Sequence, residues 1–232
     1  NPCPFGSASS SLAEGTKITM IKFHFTFDKT KNSQNLKKKI LKQYKNNSAK
    51  ISDVIIVAGG DGYMLNSLKK YLKFKKPFYG INCGTFGFLM NKYASENLEK
   101  KILKAKKTTI NPLQIVSCNN KIYKKPLIAV NEVSLFRQTK QTVSLKLQIE
   151  KKTIIKKLIG DGVLISTPAG STAYNLSVHG PILSLNSGKL AITPISPFRP
   201  RRWKGKIVSN TVKIKLTNLD SKKRPVAAVA DN

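Results

Sequence analysis

The chain has 232 residues, with 42 Lys or Arg against 11 Asp or Glu, so it carries a formal net charge of +31 that no acidic block offsets. Its length suffices to bury a core without staples, its 40% apolar and 8% aromatic content excludes a disordered chain, and no apolar run approaches the ~20 residues of a membrane span. Cys3, Cys83 and Cys118 stand far apart with no C-x-x-C pair, which excludes a disulfide framework or zinc ribbon and fits a reducing cytoplasm.

Residues 1–19 are rich in Ser, Gly and Pro and lack periodicity, so they read as a leader or a remnant foreign to the fold, with Met20 as a plausible native start. Ile21, Phe23, Phe25 and Phe27 then alternate with Lys22, His24 and Thr26, the period of a strand. Leu36, Ile40, Leu41 and Tyr44 share a helical face. Val54 to Ala58 is a short apolar run, as in a strand buried on both sides. Met64, Leu65, Leu68, Tyr71 and Leu72 give a second helix, Pro77 to Asn82 a strand, and Ala94, Leu98, Ile102 and Leu103 a third helix. Such alternation predicts a parallel sheet covered by helices.

After Lys107 strand-like runs follow one another: Thr108–Cys118, Lys121–Tyr123, Leu127–Phe136, Val143–Ile149, Thr153–Ile159, Val163–Ser166, Lys189–Ile195, Lys206–Leu216 and Pro225–Ala230, with Asn119-Asn120 as a turn. Asn111-Pro112 punctuates a boundary near residue 110. The expected architecture is a Rossmann-like α/β domain (20–110), then a mostly-β, β-sandwich-like domain (111–222). A last segment, 223–232, is expected to return toward the N-terminal domain.

Four clusters carry chemistry. Gly59-Gly60-Asp61-Gly62 lies where a buried strand yields to a helix opening near Tyr63, the ligand-binding end of an open α/β sheet. Its glycines let backbone N–H groups approach a phosphate, and the helix presents its positive end. A carboxylate there orients a hydroxyl, accepts its proton or holds Mg²⁺; the blander reading is a tight turn with Asp61 as a helix cap. The loop fits neither the Walker pattern nor a complete G-x-G-x-x-G. A second glycine cluster, Gly80 to Leu89, also follows a strand, and its Phe88 either packs a ligand ring or joins the core. Asn131-Glu132 interrupts an apolar run, so one of the two points inward, unless the run is an edge strand or bulge. The longest signal is Gly160 to Asn175, in which a strand enters Pro168-Ala169-Gly170-Ser171-Thr172-Ala173-Tyr174. Its small residues free the backbone, its hydroxyls donate and Tyr174 offers a ring, although helix capping also uses Ser and Thr.

In order and spacing these clusters resemble the NAD kinase family: Gly59 to Gly62 its GGDG motif, Gly80 to Leu89 its G-I-N-x-G-x-x-G-F-L segment, Asn131-Glu132 its NE pair, and Gly160 to Tyr174 its longest motif. Pro225 to Asp231 resembles the late strand more loosely, and Thr193 to Pro200 is similar to the alphaproteobacterial branch. The resemblance implies transfer of the ATP γ-phosphate to the 2′-hydroxyl of the adenosine ribose of NAD, with Mg²⁺ or another divalent cation. Asp61 would orient or deprotonate that hydroxyl. The nucleotide site would draw on Gly60, Gly62, Phe88, Asn131, Glu132, Ala169, Thr172, Ala173, Tyr174, Ser177 and Ser196, with Asp161 completing it near a subunit interface. A homodimer or homotetramer is implied. Two departures stand out. His179 occupies a position where the family usually has Gly, and the chain stops at Asn232 where relatives continue, as a truncated chain would.

The competing readings are a lipid kinase of the diacylglycerol kinase type, which shares the GGDG loop, and a basic nucleic-acid binder. The positive residues are almost all Lys and are dispersed, while Arg, the better reader of phosphates and bases, is scarce. The expectation is therefore solvated lysines and no specific nucleic-acid partner. Arg199, Arg201, Arg202 and Lys204 beside Trp203 form the one local cluster, read as a subunit contact.

Overall fold

The computed structural model describes residues 21–85, 87–93, 97–119 and 122–231. The proposed leader, Met20, Ala94, Asn120, Lys121 and Asn232 lie outside these residues. Among the described residues no helix is long and apolar enough to cross a membrane. The chain divides into two compact units, Asn1–Lys106 and Lys107–Asn232.

The first unit is a sheet of order β1-β2-β3-β4: β1 (Phe23–Phe27), β2 (Val54–Gly59), β3 (Phe78–Asn82) and the short β4 (Asn91–Lys92). Every pairing is parallel. Helix α1 (Lys31–Gln43) connects β1 to β2, α2 (Asp61–Tyr71) with a following 3-10 turn connects β2 to β3, and α3 (Leu98–Lys104) comes last. Every residue of β2 is buried, because both faces of the strand are covered. Ile56 and Ala58 pack with Phe23, Phe25, Leu36 and Ile40, whereas Ile55 and Val57 pack with Ala49 and Met64. The helical stripes are narrower than their periodicity suggests. Leu41 and Leu103 are exposed, and Tyr44 caps α1 while setting its ring against Phe23 and Phe25. Leu36 and Ile40 suffice to seat α1, helped by the Ser33 hydroxyl, which donates to the Ala58 carbonyl at 2.8 Å.

The second unit is built of strands. They are β5 (Leu113–Ile115), β6 (Cys118–Asn119), β7 (Ile122–Tyr123), β8 (Leu127–Ala129), β9 (Glu132–Arg137), β10 (Val143–Ile149), β11 (Lys152–Gly160), β12 (Gly162–Ser166), β13 (Lys189–Ile195), β14 (Lys206–Ser209), β15 (Ile214–Asn218) and β16 (Val226–Ala230). A five-stranded sheet of order β14-β13-β12-β9-β16 and a three-stranded sheet of order β11-β10-β15 share one core. Val143, Leu145, Leu147 and Leu158 come from the smaller sheet, and Val163, Ile165, Leu190 and Ile192 from the larger. All pairings are antiparallel. The sandwich-like expectation holds.

Three long runs expected as single strands are broken. Thr108–Cys118 keeps only Leu113–Ile115 and the Cys118 end as strand. Lys206–Leu216 splits around Asn210 into β14 and β15, which join different sheets. Leu127–Phe136 splits at Val130-Asn131, so the Asn-Glu pair stands at a break between strands rather than inside one. The last segment forms β16, which lies along β9 in the second unit, Ala230 opposite Val133. An apolar edge strand is stabilised by pairing with the nearest open sheet edge.

Candidate functional site

In the first unit β2 ends at Gly59, Gly60 is the N-cap in an extended conformation, and Asp61 opens α2. The helix thus begins two residues before Tyr63. Asp61 is not the N-cap, a position that falls to Gly60, but the first residue of the helix. Its carboxylate reaches instead to the second glycine cluster, where Oδ2 accepts the Phe88 amide at 2.8 Å and Oδ1 the Leu89 amide at 3.0 Å. The two glycine segments are therefore joined through one carboxylate. They are joined again where the Cys83 amide donates to the Gly59 carbonyl at 2.9 Å. A carboxylate has about four acceptor positions, so two amides leave room for a hydroxyl. Gly60 and Gly62 have open space where a Cβ would stand. Phe88 is 71% exposed, so its ring is not a core ring.

In the second unit Asn131 lies at the β8/β9 break and Glu132 begins β9, 5% exposed. The backbone of this break is held on its carbonyl side. The Thr167 hydroxyl donates to the Val130 carbonyl at 2.7 Å, and the Thr167 amide donates to the Asn131 carbonyl at 2.8 Å. Gly170 packs against that same Asn131 carbonyl so closely that a Cβ would clash with it. This brings Asn131 and Glu132 beside Ala169-Gly170, in the 3-10 turn Ala169–Thr172 that follows β12. The Asn131 side-chain Oδ1 is buried and has no hydrogen-bond partner among the described residues.

Ala173 precedes helix α4 (Tyr174–Ser177). The Tyr174 ring lies 5.8 Å from that of Phe136. Burial first, then the charges of Asp161 and Glu132, push its phenol above the usual tyrosine range, so the hydroxyl stays protonated and able to donate. Asp161 pairs with Arg137 at 2.6 Å, both side chains about two-fifths exposed, and its amide donates to the Ile195 carbonyl, which sets Ser196 next to it. Ser196 is exposed and has φ of 45°. Ser177 is exposed at the end of α4.

Sequence reasoning missed three groups that shape this region. Thr167 was only one letter of a motif. Asn175 is a fully buried hub: its amide nitrogen donates to the Ser171 and Pro181 carbonyls, and its oxygen accepts the Thr193 hydroxyl at 2.7 Å. Asp231 accepts three backbone amides, those of Val130, Asn131 and Glu132. Nothing in the local pattern around Asp231 announces that role, because the contact spans about a hundred residues of chain. The arginine cluster also differs from expectation. Trp203 packs against the sandwich core, while Arg199 and Arg201 lie over the exposed Phe198 ring at 5.5 and 5.2 Å.

A family model described as the ATP-NAD kinase N-terminal domain matches residues 10–105, reaching into the stretch set apart as a leader. One described as the ATP-NAD kinase C-terminal domain matches residues 130–231. An NAD kinase of Brucella melitensis is 45% identical over 216 residues, 93% of this chain and 84% of the relative. One of Zymomonas mobilis is 50% identical over 186 residues, 78% and 70% of the two chains. Among solved structures, an NAD kinase from Archaeoglobus fulgidus in complex with ATP matches with a TM-score of 0.66 at 24% identity, covering 90% of this chain and 84% of that one. Yeast NADH kinase complexed with NADH matches at 0.63 and 22% identity, covering 81% and 57%. At such identity the likeness to these structures carries the fold alone. An α/β unit with a glycine turn and carboxylate, ahead of a β-sandwich unit, is the build of an ATP-dependent phosphotransferase. Within that class, the chain belongs to the NAD kinase family.

Proposed function

We propose that this chain transfers the γ-phosphate of ATP to the 2′-hydroxyl of the adenosine ribose of NAD, making NADP, with Asp61 as the group that orients that hydroxyl and takes its proton. The supporting observation is the Asp61 carboxylate itself. It opens α2 without capping it and is aimed by the Phe88 and Leu89 amides. A ribose hydroxyl is a weak nucleophile, and a fixed carboxylate within hydrogen-bond reach both aligns it and accepts its proton as the phosphorus–oxygen bond forms. The O–P bond to ADP breaks in the same displacement, and ADP leaves with the displaced charge.

Gly60 and Gly62 leave backbone N–H groups open to phosphate oxygens at the N-terminus of α2. Asn131, whose Oδ1 has no partner among the described residues, and Glu132 serve as acceptors for the dinucleotide. Ala169, Thr172, Ala173 and Tyr174 serve the dinucleotide too, with Ser177, Ser196 and Asp161 beside them in the second unit; Phe88 is the exposed ring that the first unit offers. The described residues offer no cluster of three or more His, Cys, Asp or Glu for a metal. That donor set suits a divalent cation that arrives on the triphosphate, since Mg²⁺ commonly keeps its waters and binds through one or two carboxylates plus substrate phosphates. The protein works in the cytoplasm as a homodimer or homotetramer. Its dispersed lysines favour anionic substrates rather than a specific nucleic acid.

The deciding experiment incubates the folded protein with Mg²⁺, ATP and NAD in excess and follows NADP with an NADP-specific dehydrogenase, with a lipid extract as the competing acceptor. NADP formation with an unlabelled lipid fraction is expected. No NADP, or phosphorylated lipid instead, overturns the reading.

A further inference from the structure

Asp231 directly follows β16, and its backbone turns with φ of 50°, a left-handed conformation that Asp tolerates better than most residues. That turn carries its carboxylate onto the break between β8 and β9. Oδ2 accepts the Val130 amide at 2.7 Å, and Oδ1 accepts the Asn131 amide at 2.7 Å and the Glu132 amide at 3.1 Å. The Asp231 amide returns the contact by donating to the Glu132 carbonyl at 3.0 Å. Three successive amides converging on one charge form an anion nest that the protein fills with its own side chain.

The opposite edge of the same segment is held by Thr167, whose hydroxyl and amide bond the Val130 and Asn131 carbonyls, and by the close approach of Gly170. Residues 130–132 are thus held through their amides on one side and their carbonyls on the other. The Asn131 Oδ1, by contrast, is buried and has no hydrogen-bond partner among the described residues. A polar atom left open at the centre of a clamped segment is placed for a ligand donor.

We infer that Asp231 is a positioning residue for the acceptor site: it holds the Asn131-Glu132 segment in the conformation that receives the dinucleotide, and it acts through Asn131 rather than on substrate. This rests on the reading of Asn131 and Glu132 as dinucleotide contacts. It assigns a function to the segment after β16 that neither motif order nor hydrophobic pattern announces. It also explains why β16 runs along β9: that pairing delivers the carboxylate to the start of its neighbour.

The test compares Asp231→Asn, Asp231→Glu, Asn131→Ala and the double variant Asp231→Asn/Asn131→Ala with the unaltered protein. Asp231→Asn keeps the volume but offers one acceptor oxygen and turns an NH2 group toward backbone amides. The expected result is a rise of about tenfold or more in KM for NAD, with KM for ATP changed by less than about twofold. Asp231→Glu restores part of the loss. In the Asn131→Ala background, Asp231→Asn adds little, because the residue it positions is already gone. Amide hydrogen exchange should lose protection at 130–132 while β13 stays protected, a readout independent of any substrate. Equal weakening of NAD and ATP with a fall in thermal midpoint means a purely structural role and overturns the inference, as does an unchanged KM for NAD or full additivity in the double variant. If Asp231→Asn does not fold, Asp231→Glu must still show the NAD-selective rise. If the unaltered protein makes no NADP, the proposed function falls first and this inference with it; normal NADP formation with an unaffected variant sinks the inference alone.

Discussion

The glycine-rich segments of the two units look alike in the sequence and differ physically. At Gly60 and Gly62, in the turn of the first unit, an added Cβ would meet no atom within 4 Å. At Gly170 and Gly180, in the second unit, it would collide with the Asn131 backbone and the Asn175 side chain. One set of glycines keeps space open beside a carboxylate, and the other lets two pieces of chain approach each other. Small residues beside a carboxylate and small residues around a clamped loop are thus the same letters serving opposite ends: access at Gly60 and Gly62, closure at Gly170 and Gly180.

The largest expected effect belongs to the open turn. Asp61→Asn keeps the size of the side chain and an oxygen for one loop amide but removes the proton acceptor. Turnover should fall by about 10²–10⁴-fold with a small change in thermal midpoint, measured by initial rates of NADP formation beside a melting curve. A variant that keeps near-normal kcat would mean the carboxylate only pins the loop of residues 88–89, and the open turn would lose its chemical meaning.

A matched pair of alanines breaks the comparison more directly. Gly170→Ala forces a Cβ into the Asn131 carbonyl, a backbone atom with no way to swing aside, and should destabilise by about 1–3 kcal/mol as an overpacked site. Gly62→Ala lies in the first turn of α2 with free space around it and should stabilise the fold by about 0.5–1 kcal/mol. If that space is where phosphate approaches, the same Gly62→Ala lowers kcat/KM for ATP while raising the melting point. Two alanines with the same sign in a denaturation series would show that the glycines do not divide as open and packed.

Most of this architecture was legible in the chain, and the illegible parts have identifiable causes. The β2 run and the alternation at Phe23 to Phe27 read correctly because burial on two faces or one leaves a direct imprint on residue choice. The breaks at Val130-Asn131 and at Asn210 did not, because each side of the break is apolar and only sheet assignment separates them. Asp61 stands out in the sequence through its glycines. Asp231 was missed because its three amide partners lie about a hundred positions away, and a lone Asp after a strand looks like any turn residue. Leu41 and Leu103 were overread, since a helical stripe in sequence is wider than the strip that a sheet can cover.

The smallest effect is expected where packed and strained positions are neighbours. His179 follows α4 with φ of 63°, and its amide donates to the Leu176 carbonyl at 3.0 Å. It occupies the left-handed C-terminal position that glycine fills most cheaply. Its side chain is exposed, so little packing compensates the cost of about 1–2 kcal/mol for an L-residue there. His179→Gly removes that strain but gives back part of it, because glycine is freer in the unfolded chain by about 0.5–1 kcal/mol. The net gain should be about 0.5–1 kcal/mol, a rise of about 1–4 °C in thermal midpoint, with unchanged KM for NAD. The adjacent position should respond in the opposite direction. Gly180→Ala drives a Cβ into Asn175, the buried hub that ties Ser171, Pro181 and Thr193 together, so it lowers the midpoint and weakens NAD use as the Ala169–Tyr174 segment shifts. Differential scanning calorimetry of the two single variants reads both signs. A lower midpoint for His179→Gly would mean that the histidine ring makes a stabilising contact, and the departure at this position would then be a compensated one rather than stored strain.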